Sequence, residues 1–276
     1  MSTWLITGCS TGLGRALAAA VLDRGWNAAV TARDPESLAD LVNAHPGNAL
    51  PLALDVTDPA QVVAAVTAAE GRFGSIDVLV DNAGYGYRAA VEEGDEPDVQ
   101  RLFATNVFGP VALVKAVLPG MRARRSGTIV NISSIGAQIC PPGSGYYSAT
   151  EAALEGLSAS LRREVEPLGR RVVVVEPGAF RTDFPGRSIT ESSTVIDDYA
   201  DTAGKRRKRH DRTDGTHPGD PAKAAQALIS AVGSEQPPAL LLLGNDAVSS
   251  ASGVLRSRLE ELERWRELST STDLSD

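Results

Sequence analysis

The sequence predicts one doubly wound α/β domain, built on a seven-stranded, mostly parallel sheet with helices on both faces. Three observations carry this expectation. Short strand-like runs alternate with longer helical patterns from the first residues onward. Hydrophobic residues make up 42% of the chain but aromatics only 5%, which suits an aliphatic helix-and-sheet core. The first strand-like run opens directly into a glycine-rich turn and an alanine-rich helix. Strand–helix alternation implies right-handed crossovers and a sheet covered on both sides. At 276 residues the chain is long enough to bury such a core without disulfides or metal.

The strands are expected at "TWLIT" (3–7), "WNAAVTA" (26–32), "ALPLALD" (49–55), "IDVLVDN" (76–82), "GTIVNIS" (127–133), "RVVVVEP" (171–177) and "ALLLL" (239–243). Helical spacing fills 12–25, 58–73, 97–123 and 147–168. In the last, Leu154, Leu157, Leu161, Val165 and Leu168 recur at steps of three and four, giving one apolar face. Residues 183–220 lack apolar periodicity and carry "KRRKRHDR" (205–212), so they are expected to be a long irregular lid. The plain reading of that basic run is a solvated helix face. A final helix over about 254–268 places Leu255, Leu259, Leu262, Trp265 and Leu268 on one side, to pack on the body or on a partner subunit. The terminal "STSTDLSD" is expected to fray.

A net charge of -8 argues against nucleic acid as a partner. The two cysteines, Cys9 and Cys140, fit a reduced interior, and His45, His210 and His217 show no ligand spacing, so no metal is expected. No secretory segment precedes the first strand, and "ALLLL" is far too short to cross a bilayer. A cytoplasmic protein with no membrane partner is the expectation.

The first turn reads "TGCSTGLG", with Gly8, Gly12 and Gly14. Glycines there let the backbone turn tightly and approach a phosphate, while the following helix points free N–H groups at the anion. The spacing differs from the G-x-G-x-x-G dinucleotide fingerprint. It resembles the T-G-x-x-x-G-x-G signature of the short-chain dehydrogenase/reductase family, whose fold is Rossmann-type. The resemblance runs in order through about residue 245: "LDVTD" (54–58), "DNAG" (81–84) with Asp81 for the family's first asparagine, "TNVFG" (105–109), "IVNISS" (129–134), "YSAT" (147–150) and "EPGAFRT" (176–182). It implies a cofactor site made from Gly8, Ser10, Thr11, Gly12, Leu13 and Gly14, with Asp55 and Val56 near adenine. Asn82, Ala83, Gly84, Pro177, Gly178 and Thr182 complete it. A small carbonyl or alcohol substrate and a homodimer or homotetramer are implied too, with 147–168 a usual contact surface.

The end of the second strand discriminates between cofactors. An acidic residue there would accept from a ribose 2′-hydroxyl, whereas arginine would pair with a 2′-phosphate. The chain reads "VTARD", with Ala32 followed by Arg33, while Asp34 is placed to cap the next helix before Pro35. NADP(H) is therefore expected over NAD(H).

Carbonyl reduction needs a hydride donor and an acid for the nascent alkoxide, a task open to a tyrosine. The resemblance implies Ser134, Tyr147 and Asn106 as catalytic residues. Ser134 precedes Tyr147 by thirteen residues, and Ser133 is the alternative serine. Tyr146 reads as a neighbour in the cleft. Where the family has lysine, four residues after the tyrosine, this chain has Glu151, on the same helical face as Tyr147. A cation about 5 Å from a phenol favours the phenolate by roughly 3 kcal/mol, or about 2 pKa units; a carboxylate acts equally far the other way. Glu151 would escape that penalty if desolvation kept it protonated. Three readings stay open: an NADP(H)-dependent carbonyl–alcohol oxidoreductase that works with Glu151, a cofactor-binding but disabled form, and a non-redox acid–base enzyme. The substrate pocket is expected at 85–95, 138–146 and 183–215.

Overall fold

The computed structural model describes residues 1–210 and 217–274. Seven parallel strands form the sheet: β1 (Thr3–Ile6), β2 (Asn27–Ala32), β3 (Ala49–Ala53), β4 (Val78–Asp81), β6 (Thr128–Ile132), β7 (Arg171–Pro177) and β9 (Leu240–Leu243). Their spatial order is β3-β2-β1-β4-β6-β7-β9, so the chain reverses its winding between β1 and β4. Ile6 is the hinge of the register, level with Val30 on one side and Val80 on the other. In open parallel sheets the crevice for a ligand lies at the carboxyl ends of the strands flanking such a reversal.

Alternate residues of each strand feed two cores. Trp4, Ile6, Val30, Val80, Val130 and Val175 pack with Leu17 and Val21 of α1 (Gly12–Leu22) and with Leu228 and Ile229 of α10 (Pro221–Val232). Leu5, Leu79, Ile129 and Val172 pack on the opposite face. There they meet Val62 and Val66 of α3 (Pro59–Phe73), Leu113, Val117 and Met121 of α5 (Gly109–Arg124), and Val165 of α7 (Gly145–Val165). Continuous Val/Leu/Ile runs in the strands are what burial on both faces demands.

Two expected helices differ in detail. The stretch foreseen as one helix over 97–123 is α4 (Glu96–Phe103), a π-helical turn (Ala104–Phe108) and α5 in sequence. By length and composition the run Glu96–Arg124 passes as a membrane span, yet Leu102, Leu113, Val117 and Met121 are buried inside the protein. The stretch foreseen as a helix over 147–168 is α7 followed by a 3₁₀ turn (Glu166–Leu168); Leu154 and Val165 are buried but Leu157 and Leu168 are exposed, so its apolar stripe is only partly covered.

Residues 183–220 are not an irregular excursion, as far as they are described. They contain α8 (Phe184–Arg187), β8 (Ile189–Glu191), a 3₁₀ turn (Asp197–Tyr199) and α9 (Ala203–His210). β8 pairs in parallel with β5 (Gly86–Arg88), forming a second, two-stranded sheet above the site. The reading of "KRRKRHDR" as a solvated face is also corrected. Arg207 reaches a buried carboxylate, Glu93, at 2.6 Å, and Arg206 Nε donates to Ser144 Oγ at 2.9 Å. Asp211 and Arg212 of that run, with the rest of 211–216, lie outside the described residues.

The last helix, α11, spans Asn245–Thr270 rather than beginning near 254. Ala247 and Ala251 seat its first turns on the body, but Leu255, Leu259, Leu262, Trp265 and Leu268 are all more than half exposed. The expectation that this stripe packs on the chain's own body does not hold; Leu274 beyond it is fully exposed too. The two short remaining helices are α2 (Ala39–Ala44) and α6 (Gly136–Ile139).

Candidate active site

The glycine turn sits at the reversal point. Gly8 and Gly12 have φ of +69° and +65°, values a side chain rarely tolerates. A Cβ at Gly14 would fall 2.3 Å from Asn82 Nδ2, so only glycine lets the turn close against β4. Asn82 donates from Nδ2 to the carbonyls of Thr7 (2.8 Å) and Gly8 (3.1 Å), while Thr7 Oγ1 accepts from the N–H groups of Asn82 and Ala83. Asn82 is thus a brace beneath the turn. At the helix start, the Thr11 side chain makes no capping bond, which leaves the first-turn N–H groups of α1 without a side-chain cap, and Ser10 beside them is exposed. Leu13 packs against the first core.

The other predicted cofactor residues ring this turn at the strand ends. Arg33 follows buried Ala32 and is exposed, and Asp34 accepts from Glu36 N at 3.1 Å as the expected cap. Asp55 spends one oxygen on the backbone and hydroxyl of Thr57 (2.9 and 2.7 Å), which shapes the loop, and Val56 packs against Gly109. Gly84 lies against Asn106 Oδ1. Pro177 ends β7, and Gly178 is so close to Asp246 that a Cβ would meet its carboxylate. Thr182 lies across from Gly12, within ordinary contact of the space a Cβ there would take. The residues present therefore fit a dinucleotide: a turn that a Cβ at Gly8 or Gly14 would crowd, first-turn N–H groups with no side-chain cap, and a cation at the end of β2.

The polar chemistry lies beside this cradle. The Ser134 hydroxyl and the Tyr147 ring both lie within 3.4 Å of where a Cβ on Gly136 would be, and Gly136 N donates to Ser134 Oγ at 3.0 Å. Ser133 faces away, donating to Glu155 Oε1 at 2.6 Å. Of the two candidate serines, the structure brings Ser134 to the tyrosine. Tyr146 turns aside, donating to Val91 O at 2.6 Å and packing on Tyr87.

Asn106 projects from the π-helical turn, where the extra residue per turn rotates it inward. Its Oδ1 accepts from Tyr85 N (3.1 Å), and its Nδ2 donates to Tyr85 O (2.9 Å), Thr150 Oγ1 (3.3 Å) and Glu151 Oε1 (3.3 Å). Glu151 is 4% exposed, one helical turn beyond Tyr147. Burial pushes its carboxyl up to about 8; the hydrogen bond from Thr150 opposes this, and nearby Glu155 adds to it. Burial and then the Glu151 carboxyl raise the Tyr147 phenol well above the ordinary tyrosine value, against the Ser134 hydrogen bond. Glu155 is itself held up at about 7 by burial and by Glu176. Both shifts favour the protonated forms of Glu151 and Tyr147.

Further neighbours complete the surroundings of the site. Phe184, in the 183–215 stretch expected to line the pocket, covers Tyr147, with ring centroids 6.3 Å apart at 49°. Glu176, fully buried on β7, accepts two hydrogen bonds from Gln138 (2.8 and 2.7 Å) and extends the carboxyl row Glu151–Glu155. The i, i+4 spacing of Glu151 and Glu155 was a signal for that row. Asp81 is buried with neither oxygen hydrogen-bonded, and burial holds its carboxyl well above the usual range.

Comparison with known proteins accords with this architecture. Residues 2–192 match the family model described as short chain dehydrogenase. "Oxidoreductase BOA17" of Botryotinia fuckeliana is 40% identical over 270 residues, covering 98% of each chain. The solved structure of a short-chain dehydrogenase from Streptomyces avermitilis superposes with a TM-score of 0.93 at 44% identity, over 99% of this chain and 100% of that one. A 3-ketoacyl-(acyl-carrier-protein) reductase from Brucella melitensis, solved with NADH, gives a TM-score of 0.72 at 26% identity over 87% and 95%. The chain belongs to the short-chain dehydrogenase family of oxidoreductases.

Proposed function

We propose that the protein is an NADP(H)-dependent carbonyl reductase that works with a protonated carboxyl, Glu151, where its relatives are expected to carry lysine. The observation that carries this reading is the burial of Glu151 one turn from the Tyr147–Ser134 pair, held by Asn106 and Thr150. A buried carboxyl that keeps its proton adds no negative charge beside the phenol, so it avoids the penalty an ionised glutamate would bring.

The glycine turn with Gly8, Ser10, Thr11, Gly12, Leu13 and Gly14 would hold the pyrophosphate, Arg33 the 2′-phosphate, and Asp55 and Val56 the adenine side. Asn82–Gly84, Pro177, Gly178 and Thr182 would border the nicotinamide half. When bound, the nicotinamide supplies the hydride. Ser134 orients the substrate carbonyl, and Tyr147 delivers the phenolic proton to the oxygen as it gains charge. A phenol with a raised pKa is a poor base but still a sufficient acid toward an alkoxide, so reduction is favoured over alcohol oxidation. Glu151, with its proton, donates toward the cofactor ribose or Tyr147, and Asn106 fixes its position. The segment 183–210, through Phe184, closes over the substrate and excludes water.

The test is NADPH oxidation against a panel of ketones and aldehydes, with native protein, Tyr147→Phe and Glu151→Lys. Native turnover at an ordinary enzyme rate, abolished by Tyr147→Phe, supports the reading. Turnover by Glu151→Lys alone overturns it in favour of a disabled form, and failure to bind NADPH removes the cofactor assignment.

A further inference from the structure

From Leu255 onward α11 is exposed on every side, beyond the turns that Ala247 and Ala251 anchor. A helix standing alone in water is marginal at this length, and one that also shows a stripe of Leu255, Leu259, Leu262 and Trp265 leaves that stripe to be covered. The body does not cover it. An anionic membrane is a poor match, because the stretch from Arg256 to Glu267 carries four arginines and four glutamates, not a basic face.

The charges match a second copy of the same helix. At 100° per residue, Arg256 and Glu263 flank one side of the leucine stripe, and Arg258 and Glu261 flank the other. When two such helices run antiparallel about a two-fold axis, like flanks meet. If residue i lies level with residue 519 − i of the second copy, Arg256 faces Glu263 and Arg258 faces Glu261, because both pairs sum to 519. The same register puts the axis between residues 259 and 260, so the two copies of Leu259 flank it about 1.5 Å apart in height, and it sets Trp265 level with half-buried Val254. One register thus satisfies both flanks and the apolar centre. We propose that α11 is a dimerisation arm, pairing antiparallel with the α11 of a second copy through Leu259 and Leu262, with four Arg–Glu pairs fixing the register.

The size of the surface sets the strength. Four half-exposed large side chains on that stripe offer on the order of 300–400 Å² per copy, short of the roughly 800 Å² of a standard stable interface. The arm therefore associates reversibly, with concentration, whatever contacts the rest of the surface makes. Within one helix Glu263 also accepts from Arg266 at 2.8 Å, so a test must separate that pair from the pairing between copies.

Sedimentation velocity of the full chain over a wide concentration range tests this. The wild-type assembly should contain twice as many chains as that of Leu259→Asp, with unchanged circular dichroism below the melt. Glu263→Arg should weaken association about tenfold by opposing Arg256 at both symmetric sites. The double variant Arg256→Glu/Glu263→Arg should restore it, although the Arg266 pair stays broken. Equal assembly sizes for wild type and Leu259→Asp overturn the arm, and failure of the double variant to recover overturns the antiparallel register. Leu259-dependent binding to vesicles of phosphatidylcholine and phosphatidylglycerol, with no change in assembly size, assigns the stripe to a membrane and overturns it as well.

Discussion

Asn106 and Glu151 meet at 3.3 Å, the amide of a π-helical turn donating to a carboxyl buried on the facing helix α7. The same amide holds Tyr85 through both backbone groups, so Asn106 ties together the turn after β4, the π-helical turn and α7. Removing it strands a buried acceptor and two backbone groups. Asn106→Ala should lose about 3 kcal/mol of stability by chemical denaturation, and kcat should fall more than KM rises, because Glu151 loses its brace.

Arg33 is the cation at the end of β2, in the place where an acidic residue would select the unphosphorylated cofactor. Arg33→Asp should raise the KM for NADPH by roughly 10–100-fold and narrow or invert the preference over NADH, as expected for loss of a charged bidentate contact. Steady-state kinetics with the two cofactors read this directly.

Phe184 seats the 183–210 segment on Tyr147. Phe184→Ala should leave the fold intact while raising KM for carbonyl substrates several-fold and lowering kcat, because water then reaches the phenol. The anchor of that segment is Glu93. Its carboxylate accepts from Ala90 N (2.8 Å), Ile196 N (2.9 Å) and Arg207 (2.6 Å) with almost no exposure. Glu93→Ala leaves a buried arginine unpaired and should cost about 3–5 kcal/mol locally, seen as loss of hydrogen-exchange protection in 189–207 before the sheet opens.

Much of this was legible because it is local. Parallel strands buried on both faces read as aliphatic runs, the glycine turn reads as a backbone demand at Gly8 and Gly12, and the family resemblance singled out Ser134 and Tyr147, which the fold brings side by side. What was hidden depends on long-range contacts. The order of 183–210 comes from ties such as Arg207 to Glu93, 114 residues apart, and from a strand pair between β5 and β8. The π-helical turn shares its composition with the helices around it. Periodicity showed that α11 is amphipathic, but not that its stripe lies beyond the body's reach. The carboxyl at Glu151 was plain in the sequence, and desolvation was named as what would keep it protonated; its burial was not legible, because that depends on distant residues such as Asn106, 45 residues away.

Glu151 also links stability to pH. Its pKa is raised on folding from an ordinary 4.5 to about 8, so the folded state holds a proton that the unfolded chain gives up. The stabilisation is complete below pH about 4.5 and is lost as pH rises through about 8. Glu155, raised to about 7, acts in the same direction. Urea midpoints should therefore decline from pH 5 to 9 in the native protein and decline less in Glu151→Gln.

The pH dependence of kcat for NADPH-driven carbonyl reduction, measured for native protein and Glu151→Gln, tests the role of the protonated carboxyl most directly. With Tyr147 protonated throughout, native kcat should fall as pH rises through about 8, when Glu151 ionises beside the phenol. The Gln variant, neutral at every pH and close in shape, should keep turning over and lose that alkaline fall. A native profile flat through pH 9, or a native protein inert at every pH where Glu151→Gln or Glu151→Lys is active, would contradict a protonated Glu151 as part of a working site.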